Sequence, residues 1–289
     1  PFIDRNPDAS PSQRYKAVTL SRDPDGKRVL VAFVSPDGVR WQRLRDEPII
    51  TEGSFDSHNT AFWDTIQKRY VCYLRVGREG KRSISRATSR DFVNWTRPEP
   101  LDFGDTPLEH FYTNGIVPYF RAPYWYLGFP MRFVPPSERN EVGPERRKTD
   151  GLSDAVFISS RDGLHWSRTF MEAFIRPGLD PSSWGGAHGN QTPAWGLLPS
   201  GEHEIALCWA ENYSNYPERD RIPRLRRGTV RLDGFVSVRF PYRGGEMLTR
   251  PLAFEGRRLV INYSTSAVGS VEVEIQDVDG RAIPGFGLS

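Results

Sequence analysis

The 289 residues carry 39 Lys and Arg against 36 Asp and Glu, interspersed, for a net charge of +3. That balance is not the basic footprint of a nucleic-acid binder. With 26 Gly, 24 Pro and 37% hydrophobic residues, the composition argues against a helical fold and for many short strands with many turns; no apolar run is long enough to cross a membrane as a helix.

The chain opens on Pro1-Phe2-Ile3-Asp4, which reads as the tail of a strand, followed by strands over 14–20 and 27–34. Pro1 is not a natural start, so the first unit is taken as incomplete. The next unit begins with a polar knot, Asp56-Ser57-His58-Asn59, running into the apolar Ala61-Phe62-Trp63. Strands are expected over 59–63, 69–75 and 83–88. A second knot, Glu109-His110-Phe111-Tyr112-Thr113-Asn114, leads into Gly115-Ile116-Val117-Pro118-Tyr119-Phe120, with strands over 112–120, 124–133 and 154–159. Between the last two lies a charge-rich stretch at 138–150, read as a solvated loop. A third knot, His188-Gly189-Asn190-Gln191, precedes Thr192-Pro193-Ala194-Trp195, with strands over 191–198, 204–211 and 225–232. Self-similar units at wide intervals, each made of short strands, are the signature of radial repetition. The expected fold is an all-β propeller over 1–243, about four blade equivalents being visible. Residues 244–289 form a separate C-terminal β segment, either a partial β-sandwich or closing strands, with a hairpin signal at Asp279-Gly280.

A second repeat runs alongside the first. Ser35-Pro36-Asp37-Gly38-Val39-Arg40-Trp41 has the form Ser-x-Asp-Gly-x-x-Trp, Ser160 to Trp166 is a clean copy, and Ser89 to Trp95 is a variant. The pattern describes a turn: Asp accepts from nearby backbone N–H groups, Gly takes the positive φ, and Trp packs beneath. These aspartates are therefore read as structural. Cys72 and Cys208 both lie inside apolar strands and are read as buried free thiols.

The knots supply the candidate chemistry. Paired carboxyl groups facing one another can divide proton donation from nucleophilic or base work. Asp56 is the candidate nucleophile or base and Glu109 the candidate general acid, if burial raises its pKa; the alternative is that both are solvated loop carboxylates. Glu211, at the end of its strand, is a third candidate. His58, Asn59, His110, Tyr112, Asn114, His188, Asn190 and Gln191 are candidate partners for sugar hydroxyls, with capping of loop backbone as the competing role. The three histidines lack close ligand spacing, so no metal and no cofactor is assigned. Arg75 and Arg132 end the second strands of their units. They either bind an acidic sugar group or pair with Asp56 and Glu109. Trp184 is a candidate stacking platform. Scaffolding of protein partners is a further possibility, against which the polar knots argue.

Several stretches carry a family resemblance: Arg14-Tyr15-Lys16-Ala17, the run from Phe55 to Asp64, Tyr112-Thr113-Asn114, the run from Asp233 to Val238, and the run from Val271 to Asp277. On these the chain resembles the five-bladed propeller glycosidases, the invertase-like and arabinanase-like enzymes of glycoside hydrolase families 32, 43 and 68 and their relatives. It is most similar to a group of bacterial proteins described only as glycoside-hydrolase-like. The resemblance implies a five-bladed propeller missing its N-terminal part here, a glycoside hydrolase activity or a non-catalytic sugar-binding descendant of one, an oligo- or polysaccharide partner with neither nucleic acid nor membrane, and a secreted or periplasmic location, although no signal peptide is visible in this chain. The invertase-like Asn-Asp-Pro-Asn-Gly motif is absent, and Arg22-Asp23-Pro24 precedes Asp25-Gly26 as part of a turn.

Overall fold

A computed structural model describes residues 1–135, 151–179, 191–211 and 223–288. Among them the only helical element is a single 3-10 turn, Pro11–Gln13; the rest of the regular structure is antiparallel β. Two compact units are present. The larger comprises Pro1–Pro199 with Ala206–Gly228, the smaller Ser200–Ile205 with Thr229–Ser289.

The larger unit is a β-propeller. Its first blade is the sheet β1 (Phe2–Ile3), β2 (Tyr15–Arg22), β3 (Arg28–Ser35) and β4 (Gln42–Arg43), in chain order. Its second is β5 (Thr60–Asp64), β6 (Arg69–Arg78), β7 (Lys81–Ser89) and β8 (Glu99–Pro100), again in chain order. Consecutive four-stranded meanders of this kind are propeller blades. The central strands read as continuous apolar runs because each blade is covered on both faces. Within β6, Tyr70 to Leu74 are all buried, Cys72 among them. Burial raises the Cys72 thiol pKa, consistent with an inert structural thiol; Cys208 is also free but only half-buried. The outermost strands β4 and β8 are two residues long, which keeps the exposed edges short.

The third blade departs from the expected unbroken strands. Each of its first three strands is split in two. β9 (His110–Phe111), β12 (Met131–Val134) and β13 (Leu152–Ala155) form one small sheet; β10 (Val117–Tyr119), β11 (Ala122–Gly128), β14 (Ile158–Ser160) and β15 (Trp166–Ser167) form the other. The break has a local cause. Gly115 has φ 57°, and a Cβ there would sit 2.8 Å from the Phe129 carbonyl oxygen. Pro130 follows on the facing strand and has no N–H to give the ladder. The last sheet contains β16 (Thr192–Pro193), β17 (Leu198–Pro199), β18 (Glu204–Glu211) and β19 (Arg224–Arg231), with β18 central.

Two devices join successive blades. The aspartate ending one inner strand accepts from a tyrosine on the second strand of the next blade. Asp4 accepts from the Tyr70 hydroxyl at 2.7 Å, and Asp64 from the Tyr126 hydroxyl. Lys16 also donates to Asp4 at 2.6 Å, both side chains being buried. The Ser-x-Asp turns supply the second device. In each, Asp37, Asp91 or Asp162 accepts two backbone N–H groups, and Trp41, Trp95 or Trp166 donates back to the residue in the glycine position. The third turn is clamped to the preceding blade, since the Tyr73 hydroxyl donates to the Gly163 carbonyl at 2.8 Å.

In the smaller unit, residues 258–263 and 270–276 were expected as strands. Beyond Arg231 the described residues hold one isolated bridge, Gln276 to Ala282, and Val271 and Val273 are exposed. An alternating apolar face forms a ladder only against a partner face, and the described residues of this unit supply none.

Candidate functional site

The knots are the loops that enter the inner strands, and a left-handed backbone residue turns each one. His58 has φ 45° two residues before β5, Gly115 φ 57° two residues before β10, and Gln191 φ 54° immediately before β16. Phe55, earlier in the first knot, has φ 54°. Outside glycine this conformation costs on the order of 1 kcal/mol, and such strain concentrates at functional sites.

The first two knots interlock. Ser57 Oγ donates to the Tyr112 carbonyl at 2.7 Å, Asn114 Nδ2 donates to the His58 carbonyl, and the Gly115 N–H donates to His58 Nδ1 at 3.4 Å. Thr60 Oγ1 donates to Asn114 Oδ1 at 2.9 Å. Asn59 likewise works on backbone: its Oδ1 accepts from the Arg75 N–H and its Nδ2 donates to the Phe55 carbonyl. Asn59 and Asn114 therefore hold the loops, the capping role that competed with sugar contact. His58 and His110 both use Nδ1 to accept a backbone N–H, from Gly115 and from Arg82 at 3.2 Å. This fixes the His58 tautomer with its proton on Nε2. Burial lowers the His58 pKa to about 4.

The carboxylates have very different surroundings. Asp56 is the accessible one, its side chain 32% exposed, and its nearest cation is Arg75 Nη1 at 3.5 Å. Arg75 is buried and also donates to Ser57 Oγ at 2.8 Å and to the Tyr112 carbonyl at 3.1 Å. Glu109 is clamped. Arg132 Nη1 meets Oε1 at 2.7 Å and Arg168 Nε meets Oε2 at 3.0 Å. Arg132 in turn makes a bidentate pair with Asp154 at 2.9 and 2.6 Å. Both oxygens of Glu109 thus accept guanidinium N–H groups, and Glu109 anchors a four-member ion network with Arg132, Arg168 and Asp154. Of the two roles open to Arg75 and Arg132, the structure contains the carboxylate pairs. Glu211 is paired too, with Arg226 at 2.7 Å.

Gln191 is fully buried, and neither polar atom of its amide has a hydrogen-bond partner among the described residues. Trp184, His188 and Asn190 lie outside the described residues. No group of three His, Cys, Asp or Glu among the described residues is placed to hold a metal. Beside Glu109 the structure has a cleft of about 250 Å³ lined by Arg78, Glu79, Phe103, Glu109, Phe111 and Arg168.

The sequence reading missed Arg168, Arg82 and Ser57. Arg168 reaches Glu109 across 59 residues, and no local pattern signals such a pairing. Arg82 lies at the start of β7, where no local pattern singles it out. Its guanidinium lies 5.5 Å from the centroid of the Tyr112 ring and 5.5 Å from that of Phe133.

Comparison with solved structures settles the architecture. The chain matches a protein named a glycoside hydrolase with a TM-score of 0.51 and 14% identity, over 83% of this chain and 70% of that one. The shared fold is the β-propeller. A glycosyl hydrolase from Bacteroides ovatus matches with a TM-score of 0.50 and 15% identity, over 76% of this chain and 64% of that one. At these identities the likeness is one of fold. No family model matches the chain, and no curated protein matches it.

Proposed function

We propose that this protein is a carbohydrate-active hydrolase whose reacting centre is the Asp56 knot. The observation that carries the reading is the interlocking of two inner-strand loops beside one accessible carboxylate: Asp56 faces Arg75, on a loop bonded to the next knot through Ser57 and Asn114. The propeller likeness to proteins named glycoside hydrolases supports the substrate class, while the activity is argued from the site. Asp56 acts as nucleophile or as base for water. The candidates for the general acid are Glu109, held by Arg132 and Arg168, and Glu211, which accepts from Arg226 and Trp209.

A second reading follows from one observation. A carboxylate with both oxygens held by arginines is suited to positioning rather than proton transfer, as expected of a sugar-binding propeller without the chemistry. Asp56→Asn separates the two. A hydrolase loses turnover on its glycan by about a hundredfold or more while keeping sugar affinity within a few fold. A glycan bound by the protein yet left uncleaved at high enzyme concentration selects the binding module.

A further inference from the structure

Two clusters of buried or half-buried arginines differ in how they are paired. Arg132 and Arg168 face Glu109 and Asp154, two cations against two anions. Around the first knot the count is unequal. Arg75 is buried, with Asp56 at 3.5 Å as its carboxylate partner. The Arg75 guanidinium lies 4.8 Å from the Tyr112 ring centroid, and Arg82 approaches the same ring. Arg82 makes no ion pair among the described residues; aromatic rings are its side-chain neighbours. Arg28 adds a third cation, donating to the Ser54 carbonyl at 3.3 Å. Burial lowers the Arg75 pKa; Asp56 opposes that shift, while Arg82 and Arg28 add to it.

A guanidinium against an aromatic face keeps its in-plane N–H fork for a planar or tetrahedral acid. An anion between two such groups would relieve their mutual repulsion in a region of reduced dielectric. We propose that Arg75 and Arg82, both against the Tyr112 ring, form a subsite for an acidic sugar unit, one bearing a carboxylate or a sulfate group. This deepens the carbohydrate reading of the same site and rests on it. Asp56 then faces the uncharged part of the bound sugar, since its own charge repels the acid group.

The test uses the full chain and matched probe pairs: oligogalacturonides against their methyl esters, and sulfated galacto-oligosaccharides against their desulfated forms, titrated calorimetrically. The acidic member of at least one pair should bind about tenfold tighter or more, the difference expected for a hydrogen bond to a charged group. Preference within the first pair alone identifies a uronate, within the second alone a sulfated sugar. Arg82→Gln should abolish the preference and leave the affinity for the neutral member unchanged; Arg82→Lys, which keeps the charge and loses the planar fork, should retain part of it. Equal affinity for both members overturns the acidic subsite and leaves the carbohydrate reading standing. No binding by any probe overturns both. A preference that persists in a folded Arg82→Gln protein removes Arg82 from the site. Should that variant fail to fold, the wild-type pairs and Arg82→Lys still decide the question.

Discussion

His58 shows how one residue can be set by its place in a loop. It adopts a left-handed φ of 45°, accepts the Gly115 N–H at Nδ1, and has its pKa lowered by burial to about 4. The ordinary value is about 6.5, so the unfolded chain takes up the proton first as pH falls. The stability this residue contributes is full above pH 6.5, declines as pH falls toward 4, and is gone below that; the total is at most about 3 kcal/mol. His165 runs the other way. Its hydrogen bond to Asp162 raises its pKa, so its contribution is present at low pH and is lost as pH rises past the ordinary range. Urea unfolding at a series of pH values should show the loss in the wild-type protein. His58→Asn keeps an acceptor for Gly115 and should remove it, leaving a weak slope of opposite sign from His165. An unchanged slope in the variant would mean that another group carries the acid sensitivity.

At the scale of the element, the Ser-x-Asp turns show which force wins when a local rule is broken. Two of the three turns place glycine where φ is positive, at Gly38 and Gly163, but the middle turn has Phe92 there at φ 67°. The strain costs on the order of 1 kcal/mol, whereas the fully buried Phe92 ring, packed on Phe2, Tyr70 and Trp95, returns about 2–3 kcal/mol. Packing wins. At Gly163 backbone and packing demands coincide. A Cβ would lie 2.6 Å from the Tyr73 hydroxyl, itself bonded to the Gly163 carbonyl. Gly163→Ala should therefore destabilise by about 2–4 kcal/mol. Gly38→Ala, whose Cβ meets the Tyr15 ring at 3.3 Å, should cost roughly 1–2 kcal/mol. Equal losses in thermal unfolding would show that the clamp on Tyr73 contributes nothing.

These turns were legible in the sequence because every interaction that defines them falls within seven residues. The strands of the first two blades were legible for a similar reason, since their apolar runs are bounded by turn residues. The third blade was less so. Gly115 and Pro130 break its strands through a contact with Phe129 that only the folded chain creates. In the site, the pairing of Arg75 with Asp56 and Arg132 with Glu109 could be read from repeat position, as end-of-strand arginines facing knot carboxylates. Arg168 could not, because it follows a turn in one part of the blade and reaches a knot in another.

At the scale of the larger unit, stability depends on the seams between blades, and the two Asp–Tyr contacts across them are not equivalent. Asp4 keeps Lys16 at 2.6 Å whether or not Tyr70 is present, so its charge stays paired in a buried setting. Among the described residues Asp64 forms no ion pair: it accepts the Ile66 and Gln67 N–H groups at 2.8 Å each and the Tyr126 hydroxyl. The same hydroxyl accepts from Gln67 Nε2 at 2.8 Å, and Gln67 also donates to the Asp162 carbonyl and accepts from Arg86. Each hydroxyl also accepts from an amide, that of Tyr70 from Asn6 Nδ2 at 3.1 Å, so the difference lies in the carboxylates: without the Tyr126 hydroxyl Asp64 keeps only backbone N–H groups, whereas without that of Tyr70 Asp4 keeps its ion pair with Lys16. Tyr126→Phe should cost about 2–3 kcal/mol and Tyr70→Phe about 1 kcal/mol, read as shifts in the urea midpoint at unchanged m-value. The reverse order would assign the seam to Lys16 and Tyr70 and make the blade-one junction the stronger determinant. Equal small losses would leave ring packing, Phe2 on Phe92 and Phe62 beside Tyr126, as what holds neighbouring blades together.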